Sequence, residues 1–170
     1  HTATSDNGIF QFQDIKIFEG TRVNYTYTVD SNNLEQQFII PSAAVDTSTL
    51  VVSVQNSVSD TTSTTYTLNT DYTTLTSTST RYFIQEIEEG RFEVYFGDGI
   101  SGRKPADGNI VTLSYVVTNG DDADGASTFV ADSTIGGYSS VSVVTVSSAA
   151  GGGSAETVDS IKFNAPLKFA

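Results

Sequence analysis

The stretch whose reading decides the fold is Tyr95–Gly125, YFGDGISGRKPADGNIVTLSYVVTNGDDADG. It sets Gly97, Gly99, Gly102, Gly108, Gly120 and Gly125 among Asp98, Asp107, Asp121, Asp122 and Asp124. Three readings compete for such a run: a phosphate loop, a cation loop, or a braced corner between strands. Gly97, Gly99 and Gly102 spell G-x-G-x-x-G, but that motif works only when a helix follows and aims its N–H groups at the phosphate. Here Pro105, Gly108 and Asn109 follow, and then an alternating run, so the phosphate reading is set aside. DDADG looks like part of a calcium loop. Such a loop needs a closing acid about six residues past its glycine. None stands at Ser127–Ala131, and Asp132 comes late, so ordinary turn chemistry is the expectation and no metal site is assigned. The braced corner remains. Phe96 ends a strand, Gly97 and Gly99 permit positive φ on either side of Asp98, and Asp107–Gly108 is a tight-turn pair before a strand starting at Ile110.

Outward from this corner the chain reads as β throughout. Val23, Tyr25, Tyr27 and Val29 alternate with polar residues, as do Phe92, Val94 and Phe96, and Val111, Leu113, Tyr115 and Val117. Alternation at period two buries one face and wets the other, the habit of antiparallel sheets. Further strands are predicted at Gln36–Ile40, Leu50–Gln55, Thr64–Leu68, Tyr82–Ile87 and around Val141 and Val143. IFQFQDIKIFEG changes phase near Asp14, which predicts a bulged strand or two short ones. EEGR, Glu88–Arg91, is the link of a β-hairpin. One helix is predicted, from Ala155 to about Phe163, with Ser154 as N-cap and Pro166 as its stop. The expected fold is mostly β, an antiparallel sandwich-like domain or domains with one short C-terminal helix. Residues 1–8 are expected to be a flexible start or tag remnant, residues 9–150 a β-rich domain with a possible subdomain split near 80–90, and residues 151–170 a glycine hinge and helix leading into a further region.

Composition narrows function. The chain of 170 residues carries 20 acids against 8 bases, a net charge of −12. Such a surface repels nucleic-acid backbones and anionic membranes. It has no cysteine, so no disulfide or cysteine-based zinc site. No apolar run approaches the roughly 18 residues of a membrane helix, and no signal peptide is read at the start. With His1 the one histidine, nucleophile–base pairs are not available. Glu86, Glu88, Glu89 and Glu93 are acids enough for glycoside chemistry, but a run of acids on a hairpin is expected to be a solvated face. No catalytic residue, cofactor or small-molecule substrate is assigned.

Tyr95, Phe96, Gly97, Asp98, Gly99, Gly102, Gly108, Val111 and Tyr115 also resemble the Y-F-G-D-G-x-x-G signature and its sequel in the baseplate J-like family, wedge subunits of contractile phage tails. RYFIQEIEEGRFEVYFGDG is similar to the paired strands that precede that signature in T4-like phages. GGGSAETVDSIKFNAP resembles the family's G-G-x-x-x-E-x-x-x-x-I-x-x-N-A-P element through Glu156, Ile161, Asn164, Ala165 and Pro166. The resemblance covers about half the chain, Arg81 to Pro166. It implies a structural, non-enzymatic virion protein of the tail baseplate, assembled in the host cytoplasm. Its implied partners are other wedge proteins and further copies of itself, and in the family the chain continues past N-A-P into a region that joins neighbouring subunits. The rival reading from composition is a β-sandwich receptor- or carbohydrate-binding module.

Overall fold

The computed structural model describes residues 3–6, 9–71, 75–153 and 162. Among them nine strands form two sheets. β1 (Ala3–Asp6) and β2 (Ile9–Phe12) make an antiparallel hairpin. The main sheet has seven strands in the order β3-β9-β5-β6-β7-β8-β4. These are β3 (Thr21–Thr28), β4 (Phe38–Ile40), β5 (Val45–Gln55), β6 (Ser63–Leu68), β7 (Arg81–Glu86), β8 (Phe92–Phe96) and β9 (Ile110–Val117). Neighbours are antiparallel apart from the short parallel pair β6–β7. Residues 80–90 run within this sheet, which takes strands from both sides of them.

The sheet rolls until its two end strands face each other. Tyr27 of β3 donates its hydroxyl to the Ile39 carbonyl of β4 at 2.5 Å, and its ring meets Phe38 edge-on at 5.5 Å. Gln36 closes the lower part of the seam, donating to the Thr28 carbonyl at 2.7 Å and accepting from the Asp30 amide at 2.9 Å. The alternation seen in the sequence decides which side chains fill the interior. Val111, Leu113 and Tyr115 of β9, Leu50, Val52 and Val54 of β5, and Ile40, Tyr66, Tyr82 and Val94 are buried in one cluster. Full burial of each such side chain is worth about 1.5–3 kcal/mol. Tyr25 shares the parity of Val23 and Tyr27 yet is 42% exposed, because β3 stands at the end of the sheet with no strand beyond it among the described residues.

Several expectations are revised. Residues 3–6, expected within a flexible start, pair with residues 9–12; Asn7-Gly8, the pair most favourable to a tight hairpin, stands between them in the sequence. The phase change near Asp14 ends β2; Asp14 has φ +56°, and no strand follows until Thr21. The hairpin expected at Glu88–Arg91 does form: β7 and β8 pair antiparallel and are joined by a 3-10 turn, Glu88–Gly90, with Glu89 and Gly90 at positive φ. The strand expected around Val141 and Val143 does not form. Those residues are irregular, and Val144 and Val146 are 82% and 89% exposed. Strand propensity makes no strand without an edge to pair with. The predicted helix lies, Lys162 apart, outside the described residues.

Residues 127–148 form an excursion whose two ends are tied together. The Gly125 amide donates to the Ala149 carbonyl at 2.8 Å, and the Ala149 amide to the Ala126 carbonyl at 2.8 Å. The glycine run expected to act as a hinge is anchored at this root. The Gly152 amide donates to the Asp124 carboxylate at 3.1 Å, and a side chain at Gly152 would stand 2.9 Å from the Asp121 Cα.

Candidate functional site

The corner after β8 is built from its backbone outward. Phe96 ends the strand inside a chain of edge-to-face rings, 5.4 Å from Phe38 and 5.3 Å from Tyr66. Tyr95 points to the other face and stacks on its cross-strand partner Phe83 at 5.0 Å. Gly97 and Gly102 are buried against each other. A Cβ on Gly97 would lie 2.5 Å from both the Cα and the carbonyl oxygen of Gly102. Positive φ, expected at Gly97 and Gly99, holds at Gly99 (+93°) but not at Gly97, and Gly102 adopts it as well (+102°). Gly97 is glycine because the returning backbone crosses at that point, a contact between residues five apart that turn chemistry alone does not reveal.

Asp98 fastens the tip. Its carboxylate accepts from the amides of Ile100 (2.9 Å) and Ser101 (2.8 Å). These two bonds, that from Ser101 foremost, hold the carboxyl below its usual pKa. The amides a phosphate loop would offer a ligand are thus filled from within. The Gly99 amide donates to the Gly102 carbonyl at 2.9 Å.

The corner is also stitched to three other connections. Gly102 donates to the Thr76 carbonyl at 3.1 Å and Arg103 to the Ser79 carbonyl at 2.9 Å, tying it to the β6–β7 crossover. Gly108, at φ +75°, donates to the Val29 carbonyl, and Asp107 accepts from the Ser31 amide at 2.8 Å, tying it to the β3–β4 loop. Asn109 donates its side-chain amide to the Asn56 carbonyl at 2.8 Å, tying it to the β5–β6 turn. From there β9 carries Val111 and Tyr115 into the centre of the core. The sequence-predicted residues from Tyr95 to Tyr115 therefore stand along one continuous path from corner to core. Glu156, Ile161, Asn164, Ala165 and Pro166 lie outside the described residues.

The acids divide. Glu86, Glu88 and Glu89 are exposed as expected, but Glu93 is only 8% exposed. Its carboxylate accepts from Gln85 at 2.8 Å and Gln37 at 3.4 Å, beside a shallow recess lined by Leu34, Glu35 and Gln36. The alternation along β8 put Glu93 on the face opposite Val94, and the flanking glutamines are what make its burial tolerable. Asp121–Gly125 is a turn in which the Asp124 amide donates to the Asp121 carbonyl at 3.0 Å.

These features define a β module, a rolled sheet whose loops are cross-braced through one glycine corner. Comparison with known proteins gives a particular relative. A stretch of 65 residues is 37% identical to baseplate wedge protein gp6 of Enterobacteria phage T4, 29% of this chain and 10% of that protein. The chain thus spans a small part of the length of the curated relative it matches. No family model matches the chain.

Proposed function

We propose that the chain is a structural part of a contractile-tail baseplate wedge, a rigid β scaffold that holds neighbouring baseplate proteins at fixed spacing in the virion tail. The observation that carries this reading is the 37% identity over 65 residues to a baseplate wedge protein. The braced corner supports it. Loops joined by many backbone hydrogen bonds transmit force between strands rather than opening around a substrate, and the role assigned here is mechanical, not enzymatic. The family signature, Tyr95 to Tyr115, has a structural role in this account: it sets the geometry of one end of the rolled sheet, from which neighbours take their positions. Co-purification and electron microscopy of the chain mixed with the other baseplate proteins of the same phage test the proposal. A stable wedge intermediate that forms only when the chain is present is the expected result. Clear glycan-array binding with no association with any baseplate protein would instead support a receptor-binding module.

A further inference from the structure

Glu93 is a buried charge without a countercharge. β8 lies between β7 and β4, and Glu93 stands opposite Gln85 on one side and Ile39 on the other. It faces away from the core, yet it is only 8% exposed. Burying a carboxylate is costly unless a cation or a full set of donors accompanies it. Among the described residues no Lys or Arg nitrogen stands within 4.0 Å of it; the ion pair found there joins Arg91 to Glu89. The donors are incomplete too. Gln85 and Gln37 both give their amide nitrogens to Oε2, at 2.8 and 3.4 Å. Oε1 has no hydrogen-bond partner among the described residues and is not sealed from solvent. It opens to the recess that Glu93 lines with Leu34, Glu35, Gln36 and Gln37.

The lining selects a donor. The amide nitrogens of Gln36 and Gln37 are committed to the Thr28 carbonyl and to Glu93. Oxygen is therefore most of what the recess presents: Oε1 of Glu93, the carboxylate of Glu35 and the side-chain carbonyl of Gln37. An ammonium group carries positive charge, three donors and no acceptor. A guanidinium is matched less well, because its two-pronged pairing needs both oxygens of one carboxylate and Oε2 is taken. A calcium ion takes about six to eight oxygens, several of them from acids, and no group of three acids or histidines able to hold a metal occurs among the described residues. Leu34, 94% exposed on the rim, gives the methylene stem of a lysine an apolar wall. The net charge of −12 draws basic partners over long range. We propose that the recess over Glu93 receives a lysine side chain of a basic partner protein. A pair between two exposed side chains gains little, because both must be ordered and desolvated. Here the carboxylate is already desolvated and held by two amides, so the incoming ammonium gains more. The recess has this character whether or not the chain belongs to a wedge.

The test follows the isotope-labelled 170-residue chain by nuclear magnetic resonance. It is titrated with a blocked alanine–lysine–alanine peptide to about 50 mM, a range that resolves millimolar dissociation constants. The side-chain amide signals of Gln37 and Gln85 and the backbone amides of Glu35 and Glu93 are expected to shift and saturate. The same peptide with its lysine acetylated, and so uncharged, is expected to move none of them. Glu93→Gln keeps the shape and removes the charge, and is expected to weaken binding at least about tenfold. Glu35→Gln, on the exposed rim, is expected to weaken it less and to leave the fold intact. Signals that stay still with the lysine peptide overturn the proposal, and so do equal shifts with the acetylated one. Binding as tight as the parent's in Glu93→Gln, or in Glu35→Gln if the first variant does not fold, also overturns it. Tighter binding of calcium or of putrescine at the same signals would assign the recess to a metal or a free amine and overturn the docking of a protein.

Discussion

Gly97→Ala separates a crossing of backbones from ordinary turn chemistry. Since Gly97 does not have positive φ, alanine is not strained there by its own conformation. The cost comes from the Gly102 backbone, whose Cα and carbonyl oxygen would stand 2.5 Å from the new methyl group. Contact at that distance requires the two segments to part by about 1 Å, since carbon atoms rest about 3.5 Å apart. Overpacking of this kind costs about 1–3 kcal/mol. Parting the segments also weakens the Gly99–Gly102 and Gly102–Thr76 hydrogen bonds, each worth about 1 kcal/mol. The expected loss is about 3 kcal/mol, or a fall of about 10 °C in melting temperature for a domain of this size. Gly99→Ala is the control. Its φ of +93° disfavours a side chain, yet the nearest atom to a Cβ there is 3.9 Å away, so only conformational strain of about 1–2 kcal/mol applies. Urea unfolding of both variants, followed by fluorescence and circular dichroism, gives the comparison. If Gly97→Ala proves as mild as Gly99→Ala, the crossing is not the constraint and the reasoning fails.

Other substitutions test the remaining parts. Asp98 has a carboxyl pKa held below its ordinary value of 3.8 by the Ser101 and Ile100 amides. Its contribution is therefore present above that value and lost as pH falls through the lower folded pKa. Asp60, lowered by Asn56 and Thr62, contributes in the same acid window. Asp98→Ala is expected to flatten the stability–pH profile between about pH 5 and pH 2 relative to the parent, and parallel profiles would contradict it. Tyr27→Phe keeps the ring against Phe38 but removes the seam hydrogen bond to Ile39; a loss of about 1 kcal/mol is expected by denaturant titration. Leu113→Ala, at a site with no exposure, is expected to cost about 2–5 kcal/mol. Val144→Ala at 82% exposure is expected to change stability by less than about 0.5 kcal/mol; equal effects of these two would mean residues 127–148 belong to the core.

The strands were legible wherever alternation was regular, because burial of one face imposes its period on the sequence. β8 and β9 follow from Phe92–Phe96 and Val111–Val117 for that reason. Valines around Val141 carried the same signal and formed no strand, since a ladder needs a neighbouring edge and a local pattern does not report whether one is in reach. The parallel pairing of β6 with β7 and the seam between β3 and β4 were not legible, because each depends on the path of the loop between two consecutive strands, which alternation within the strands does not report. At the corner, Asp98 and Gly99 act as local turn residues and could be read as such. The reason for Gly97 lies in Gly102, and the place of Glu93 depends on Gln37 and Gln85. Neither is a local property.

The central claim is that this β module works inside a tail baseplate. Immunogold electron microscopy of purified virions, with antibodies raised against the 170-residue chain, tests it most directly. The account predicts gold at the baseplate in both extended and contracted tails. Virions without label, or label confined to the tips of tail fibres, would contradict it.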